Sequence, residues 1–325
     1  MTQPVGSFAS TVHGSAASAV HDRGMDDAPP TDAAPAPARG PAERVIGGRR
    51  FDFAREVAVM AIVNRTPDSF YDRGATLALD AAVTTARAAV ADGADLIDVG
   101  GAKFAPGPPI PVEEEIDRVV PVVRALREVE TIVSVDTFQP AVARAAIAAG
   151  AMVINDTTGI HDPELARVVA DSDAAIVIAH SLAKPRTPYP APAYGDVVRE
   201  VVDFLRRRVE LAVELGIPAD RIIVDPGHDL NKDTSHSLEL TRRLDEVVEL
   251  GHPTLVALSN KDFVGESLGR AREQRVEGSI AAAVYCVMKG ARLVRVHNVR
   301  ETVDAMRMVA AIEGWRPPAR LEHNR

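Results

Sequence analysis

The chain contains a single cysteine, Cys286, among its 325 residues. One cysteine excludes a disulfide framework and a zinc site built from cysteines, and its apolar neighbours indicate a buried, unreactive thiol. The formal net charge of -9 argues against nucleic acid or an anionic membrane as a partner. No apolar run reaches the ~18–20 residues that span a membrane. We therefore expect a cytoplasmic protein.

Aromatic residues are also scarce, at 4% of a chain that is 46% hydrophobic. The core must be built from small and β-branched side chains, which suit a parallel barrel. Residues 1–45 are rich in Ala, Pro, Ser and Gly, lack the apolar stretch of a signal peptide and cannot bury enough apolar surface to offset their ordering entropy. We predict a disordered tail over 1–45, a single domain over 46–318 and a C-terminal tail over 319–325.

From Phe51 onward, short apolar runs alternate with longer segments of helical period, some ended by a glycine such as Gly93 or Gly216. The runs lie at 57–63, 95–99, 132–135, 152–154, 174–179, 221–224, 254–258 and 292–296. Eight strands alternating with helices predict an α/β fold of the (β/α)8 TIM barrel type. The first run is not followed by G-x-G-x-x-G, which argues against a dinucleotide-binding sheet. Residues 51–56 are candidates for a small strand or plug at the barrel bottom.

Polar residues gather where the predicted strands end, which is where barrels carry their chemistry. Carboxylate and amide side chains end the third, fourth and sixth strands, and cations accompany the seventh and eighth. Carboxylates can accept paired N–H donors from a 2-amino-4-oxo-pyrimidine, and cations can hold a pyrophosphate. These residues are Asp136, Asn155, Asp225, Lys261, Arg295 and His297. Arg295 and His297 flank Val296 and so share one face of their strand.

The stretch over 60–70, Met-Ala-Ile-Val-Asn-Arg-Thr-Pro-Asp-Ser-Phe, resembles the first signature of the dihydropteroate synthases. Further segments follow in the family's order: Ile97-Asp98-Val99-Gly100-Gly101, Ser134-Val135-Asp136-Thr137, Ile154-Asn155-Asp156, Asp225-Pro226-Gly227 and Arg295-Val296-His297. The resemblance covers residues 51–313. It implies that 6-hydroxymethyl-7,8-dihydropterin pyrophosphate condenses with p-aminobenzoate and releases pyrophosphate. The leaving group departs early, so catalysis is mostly positioning and charge stabilisation.

The resemblance also implies roles for individual residues. The pterin ring would be held by Asp136, Asn155, Asp225 and Lys261. The pyrophosphate would be held by Asn64, Arg295 and His297, with Asn64 also beside a Mg²⁺ ion that bridges phosphate oxygens. The catalytic residues would be Asp68, Lys261 and Arg295. Analogy to the family further implies a homodimer formed through helices near the C-terminus such as 278–290, although core packing explains their apolar character equally well.

The chain departs from the family in three loops that would surround the second substrate. After Gly101, the family's Glu-Ser-Thr-Arg-Pro-Gly is replaced by Ala102-Lys103-Phe104-Ala105-Pro106-Gly107, so Ala105 replaces an arginine. The family's Ile-Gly-Phe-Gly-Lys is replaced by His228-Asp229-Leu230-Asn231-Lys232, which loses both glycines and the aromatic residue. Its Ser-Arg-Lys-Ser is replaced by Ser259-Asn260-Lys261-Asp262, which puts a negative charge where the resemblance puts the p-aminobenzoate carboxylate. Two like charges ~4 Å apart repel by about 1 kcal/mol in water and ~4 kcal/mol at an effective dielectric of 20.

Four hypotheses stay open on these grounds. The first is a working enzyme that joins a pterin to an arylamine. The second is a divergent, catalytically poor paralogue with a pterin-binding or regulatory role. The third is an enzyme of the same chemistry with a cationic or neutral nucleophile, which Asp262 would suit. A barrel that binds methyltetrahydrofolate comes last, because it has no use for Arg295 and His297. We expect weak or absent condensation with p-aminobenzoate.

Overall fold

The computed structural model describes residues 43–64, 75–102, 106–188 and 191–323. Two short strands come first, β1 (Glu43–Ile46) and β2 (Arg49–Asp52). The strands that follow are β3 (Ala58–Asn64), β4 (Leu96–Gly100), β5 (Ile132–Asp136), β6 (Val153–Asp156), β7 (Ala175–Ala179), β8 (Ile222–Asp225), β9 (Leu255–Val256) and β10 (Leu293–Val296). The helices are α1 (Ala75–Ala91), α2 (Val112–Ala125), α3 (Pro140–Ala149), α4 (Pro163–Ala170), α5 (Val197–Glu214), α6 (Thr234–Arg242), α7 (Leu244–Val248), α8 (Asp262–Leu268), α9 (Val276–Met288) and α10 (Val299–Ile312).

The strands β3 to β10 form one parallel sheet in the order β8-β7-β6-β5-β4-β3-β10-β9. Its two edges meet through a parallel bridge between Val224 and Thr254, where the Val224 N–H donates to the Pro253 carbonyl at 3.0 Å. The sheet is therefore closed, and the predicted (β/α)8 barrel is confirmed. All eight predicted strands occur within two residues of their expected ends.

Side chains alternate between the two faces of each barrel strand. Met60, Leu96 and Leu293 belong to an interior apolar cluster, whereas Val59, Ile97 and Val294 pack outward against the helices. Because the period is two, the next inward position after Leu96 is Asp98, and the next after Leu293 is Arg295. The same alternation places Ser134, Asp136, Asn155 and Asp225 on the inner face. The lower barrel is consequently apolar and its upper layer is polar.

The helices bury one stripe each against the outer face of the barrel. In α5, the buried side chains Val198, Val201 and Leu205 recur at helical spacing, and the carboxylate of Asp196 caps the helix by accepting the N–H of Val198 at 3.1 Å. Burying a side chain such as Leu205 stabilises the fold by about 1.5–3 kcal/mol. None of the helices in the described ranges is long and apolar enough to cross a membrane.

The hairpin of β1 and β2 lies at the amino-terminal end of the barrel. Its side chains Ile46 and Phe51, together with Phe53, join the interior apolar cluster, and the two phenyl rings stack at 5.3 Å. These contacts confirm the predicted plug at the barrel bottom. The strand β1 begins at Glu43, so residues 43–45 belong to the hairpin and not to the tail over 1–45 that we expected. The remaining domain limits stay predictions, and residues 1–42 lie outside the described part.

Candidate active site

Asp98 is the centre of a buried polar network inside the barrel mouth, and its side chain is fully enclosed. One carboxylate oxygen accepts from Ser134 Oγ at 2.6 Å. The other accepts from Asn155 Nδ2 at 3.0 Å and from Arg295 Nε at 2.6 Å. A buried carboxylate is costly unless it is paired, so these bonds fix side chains from β4, β5, β6 and β10 relative to one another. Asp98 belongs to a motif noted in the sequence, but no role was predicted for it. Because it lies two positions after the inward-facing Leu96, the period of the strand could have placed its side chain inside the barrel.

Asp136 and Arg295 form the upper part of the same network. Arg295 Nη2 donates to Asp136 Oδ2 at 3.0 Å. Burial raises the pKa of Asp136 to about 7, with the Arg295 guanidinium opposing the shift. Burial also disfavours the charged form of Arg295, but the carboxylates of Asp98 and Asp136 beside it leave its pKa raised. The structure thus brings together a predicted pterin ligand and a predicted pyrophosphate ligand.

Asp225 and Lys261 also border the mouth, at the end of β8 and just before α8. The carboxylate of Asp225 accepts the N–H of Gly227 at 2.7 Å, and burial raises its pKa, with Lys261 opposing. Burial lowers the pKa of Lys261, with Asp225 opposing, and its ammonium donates to the carbonyl of His228. Gly227 has φ of 68°, and a Cβ there would lie 2.2 Å from the carbonyl oxygen of His180. Only glycine therefore fits this turn.

A buried lysine that sequence reasoning did not select connects this turn to β7. Lys232 donates to the carbonyls of Gly227 at 2.9 Å and Leu230 at 3.0 Å, and its Nζ lies 2.8 Å from His180 Nδ1. Burial, assisted by the nearby lysine, lowers the pKa of His180 to about 2. The imidazole is therefore neutral, and burial lowers the pKa of Lys232 as well. This pair anchors the loop after β8 beneath the mouth.

Asn64 and His297 lie at the rim. Asn64 ends β3 with an exposed side chain. Its Oδ1 lies close to Gly100, so that a Cβ added to this glycine would be 2.9 Å from the oxygen. His297 is exposed, and its Nδ1 lies 3.1 Å from Ser259 Oγ. Partial enclosure of the ring and the nearby Arg295 lower the pKa of His297 to about 4, so the ring is neutral at pH 7. Of Asn64, Arg295 and His297, Arg295 is therefore the cationic one.

Several positions that the sequence singled out lie outside the described residues. The predicted catalytic residue Asp68 is one of them, and Lys103, Phe104 and Ala105 of the altered loop are others. The described end of that loop is hydrogen-bonded to the loop after β7. Arg186 Nε donates to the carbonyl of Pro108 at 3.0 Å, and the N–H of Gly107 donates to the carbonyl of Arg186 at 3.3 Å.

Asp262 and Asp229 lie together where α8 begins. The Asp262 side chain is 84% exposed and pairs with Arg275 Nη1 at 2.9 Å. Part of the negative charge that the sequence placed here is thus compensated, and solvent screens it further. The carboxylate of Asp229 accepts the backbone N–H of Asp262 at 2.6 Å and that of Phe263 at 3.3 Å. Asp229 has φ of 62°, the conformation typical of glycine.

The donor chemistry of the mouth fits a magnesium ion that arrives with a phosphate ligand. Within the described ranges there is no group of three or more His, Cys, Asp or Glu side chains placed to hold a metal. Magnesium keeps several waters and needs only one or two protein oxygens when phosphates supply the rest. The exposed amide oxygen of Asn64 at the end of β3 is suited to that role.

Comparisons with known proteins agree with this geometry. The family of pterin binding enzymes matches residues 60–297. The inactive dihydropteroate synthase 2 of Mycobacterium leprae is 49% identical over 269 residues, which cover 81% of this chain and 92% of that protein. Dihydropteroate synthase of Escherichia coli is 39% identical over 255 residues, or 78% of this chain and 90% of that one. The structure of Xanthomonas albilineans dihydropteroate synthase with 4-aminobenzoic acid superimposes with a TM-score of 0.78 at 41% identity and covers 84% of this chain and 98% of its own.

Proposed function

The chain belongs to the dihydropteroate synthase family of pterin binding enzymes, and on this premise we propose that it binds 6-hydroxymethyl-7,8-dihydropterin pyrophosphate but condenses it weakly or not at all with p-aminobenzoate. It is a dihydropteroate synthase-like protein of the folate biosynthesis type. The two halves of the mouth differ in how many of the family's residues they keep. One half keeps the residues that suit a pterin, and the other has lost those that suit a carboxylate-bearing amine.

The observation that carries the pterin assignment is a pair of carboxylates, the half-buried Asp136 and the buried Asp225, that each leave one oxygen unused. Asp136 bonds Arg295 through Oδ2, and Asp225 bonds Gly227 through Oδ1. Neither Asp136 Oδ1 nor Asp225 Oδ2 has a hydrogen-bond partner among the residues that the structure describes. Neither oxygen is fully enclosed, so both can accept N–H donors of a ligand bound at the mouth. A 2-amino-4-oxo-pyrimidine ring supplies several such donors.

Asn155 and Lys261 complete the proposed pterin site. Asn155 is held by Asp98, which fixes its amide, and Lys261 supplies a cationic donor near Asp225. The pKa of Lys261 is lowered by burial. A pterin carbonyl or ring nitrogen can accept from this ammonium, whose positive charge Asp225 partly offsets.

The proposed chemistry breaks the carbon–oxygen bond to pyrophosphate and forms a carbon–nitrogen bond. Arg295 would stabilise charge on the departing pyrophosphate, assisted by neutral donors from Asn64 and His297. The carboxylate of Asp136 would stabilise the positive charge that develops on the pterin. A Mg²⁺ ion held by Asn64 would neutralise part of the phosphate charge. The catalytic role of Asp68 rests on the resemblance alone.

Two features support weak use of p-aminobenzoate. Ala105 replaces the family's loop arginine, and Asp262 replaces a serine at the start of α8. The M. leprae relative that shares 49% identity is named as inactive. The test is to incubate the purified chain with dihydropterin pyrophosphate, Mg²⁺ and p-aminobenzoate and to quantify dihydropteroate. We expect product at the background level, and formation at the rate of the E. coli enzyme measured in parallel would contradict the proposal.

We also propose a homodimer through α9 and α10, which pack against each other. Large apolar side chains on these helices are solvent-exposed: Tyr285 at 44%, Met288 at 54%, Met308 at 60% and Ile312 at 69%. Adjacent exposed apolar groups are typical of a surface that another protein covers. A second copy of the chain is the partner that the family resemblance implies.

A further inference from the structure

We propose that Asp229 makes the second-substrate side of the mouth select an amine without a carboxylate group, and this inference rests on the proposed pterin site. In the reaction, the amine nitrogen would bond to the methylene carbon of the pterin. The carbon–oxygen bond would break, its electron pair would leave with pyrophosphate, and the amine would release one proton to solvent. Asp229 would determine which amine can enter.

The position of Asp229 follows from two neighbours of the proposed pterin site. Lys261, which would hold the pterin, donates to the carbonyl of His228, and Asp229 is the residue directly after His228. Asp262 is the residue directly after Lys261, and its N–H donates to Asp229. Both carboxylates therefore lie one residue beyond groups that flank the pterin. An amine that reaches the pterin from the open mouth along the loops after β8 and β9 passes them.

The carboxylate of Asp229 is fixed at both oxygens. Ser237, which is fully buried, donates from Oγ to Asp229 Oδ1 at 3.1 Å and accepts the N–H of Asp229 at 3.2 Å. The other oxygen, Oδ2, accepts the first two N–H groups of α8, at 2.6 Å and 3.3 Å. This short helix consequently offers no anion site, because an internal carboxylate already satisfies its first N–H groups.

An incoming carboxylate would meet two obstacles here. It would have to displace Asp229 from the N–H groups of α8, and it would face the negative charge of Asp229, which the nearby Lys261 offsets in part. Arg275 offsets the charge of Asp262 through its contact at 2.9 Å. A neutral or cationic amine meets neither obstacle. From the repulsion of like charges at close range, we expect selection against a carboxylate by roughly 100-fold.

The experiment compares two arylamines that differ only in this group, p-aminobenzoate and p-aminobenzamide. First, the affinity of the full chain for dihydropterin pyrophosphate with Mg²⁺ is measured by calorimetry. The affinity of the pterin-loaded protein for each amine is then measured by ligand-observed NMR. The variants are Asp229→Gly, which suits the φ of 62°, and Asp229→Asn, which keeps an acceptor oxygen and tolerates this backbone conformation. Asp203→Asn on the exposed face of α5 is the matched control.

For the wild type and the control, we expect p-aminobenzamide to bind about 100-fold more tightly than p-aminobenzoate. Asp229→Gly should reduce this ratio to below about 10-fold by improving p-aminobenzoate binding, with pterin affinity unchanged, and Asp229→Asn should give an intermediate ratio. Equal wild-type affinities, no binding of either amine, or an unchanged ratio in both folded variants would overturn the inference while pterin binding stands. Absence of pterin binding in the wild type would overturn the proposed function and this inference with it.

Discussion

Replacing Asp98 with asparagine tests whether one buried carboxylate holds the candidate pterin site together. The substitution keeps the size of the side chain but removes its charge, and an amide nitrogen replaces one of the two oxygens that accept from Ser134, Asn155 and Arg295. Removing one partner of a buried ion pair costs about 3–5 kcal/mol when the other charge is left alone. Arg295 keeps its bond to Asp136 at 3.0 Å. Because Arg295 is not left without a partner, we expect the free energy of unfolding to fall by about 2–3 kcal/mol, which is less than the cost of an uncompensated charge.

The assay is urea unfolding followed by circular dichroism, with wild type, Asp98→Asn and the control Asp203→Asn measured side by side. Asp203 pairs with Arg206 at 2.7 Å on the surface of α5, so its replacement should change stability by less than about 0.5 kcal/mol. Because the negative charge that orients Arg295 and Asn155 is lost, Asp98→Asn should also weaken pterin binding about tenfold. A stability within about 0.5 kcal/mol of wild type, combined with unchanged pterin affinity, would refute the reasoning.

Three further predictions follow from the same contacts. Burial raises the pKa of Asp136 from 3.8 to about 7, so the ionised form of this side chain is penalised in the folded state. The free energy of unfolding should therefore fall as pH rises from about 4 to about 7. Urea titrations at a series of pH values should show this fall in the wild type and a smaller one in Asp136→Asn. Gly227→Ala should lower the free energy of unfolding by about 2–3 kcal/mol in the same assay, because φ is 68° and the new Cβ would contact the His180 carbonyl; a loss below about 0.5 kcal/mol would contradict this account of the turn. Met308→Glu should convert a dimer to a monomer in analytical ultracentrifugation, and a wild type that is already monomeric at micromolar concentration would exclude the dimer.

The barrel could be predicted from the sequence because its signal is local and repeated. Each strand is an apolar run with polar residues at or just after its end, and period two places the last side chains of β3, β5 and β8 on the inner face. The hairpin was only partly anticipated, because Glu43 and Val45 were assigned to the tail although the Gly47-Gly48 pair that follows is a local hairpin signal. The position of β1 also depends on its pairing with β2 and on Ile46 and Phe51 entering the barrel.

The candidate site could be predicted as a set of residues but not as a set of contacts. Alternation brought Asp136, Asn155, Asp225 and Arg295 to one mouth, as expected. That Arg295 would pair with Asp98 depends on a contact across 197 positions of sequence, which residue types alone do not determine. From the sequence alone, Asp262 was also expected to carry a negative charge without a paired cation.

Arg275, which pairs with Asp262, lies 13 positions away from it in the sequence. The carboxylate of Asp229 reaches the start of α8 across 33 positions. Tertiary packing sets both contacts, so the electrostatics of this loop could be worked out only from the structure. Sequence reasoning recognised the loss of a glycine at position 229 but not that the new side chain would bond the helix that follows β9.

Calorimetric titration of the full chain with dihydropterin pyrophosphate and Mg²⁺ tests the central claim most directly. Wild type should bind one pterin per chain with saturation. Asp225→Asn should weaken binding at least about tenfold, because a carboxylate acceptor is lost, whereas Asp203→Asn should leave it unchanged. Absence of saturable binding by the folded wild type, or equal affinity of the Asp225→Asn variant, would contradict a retained pterin site at the barrel mouth.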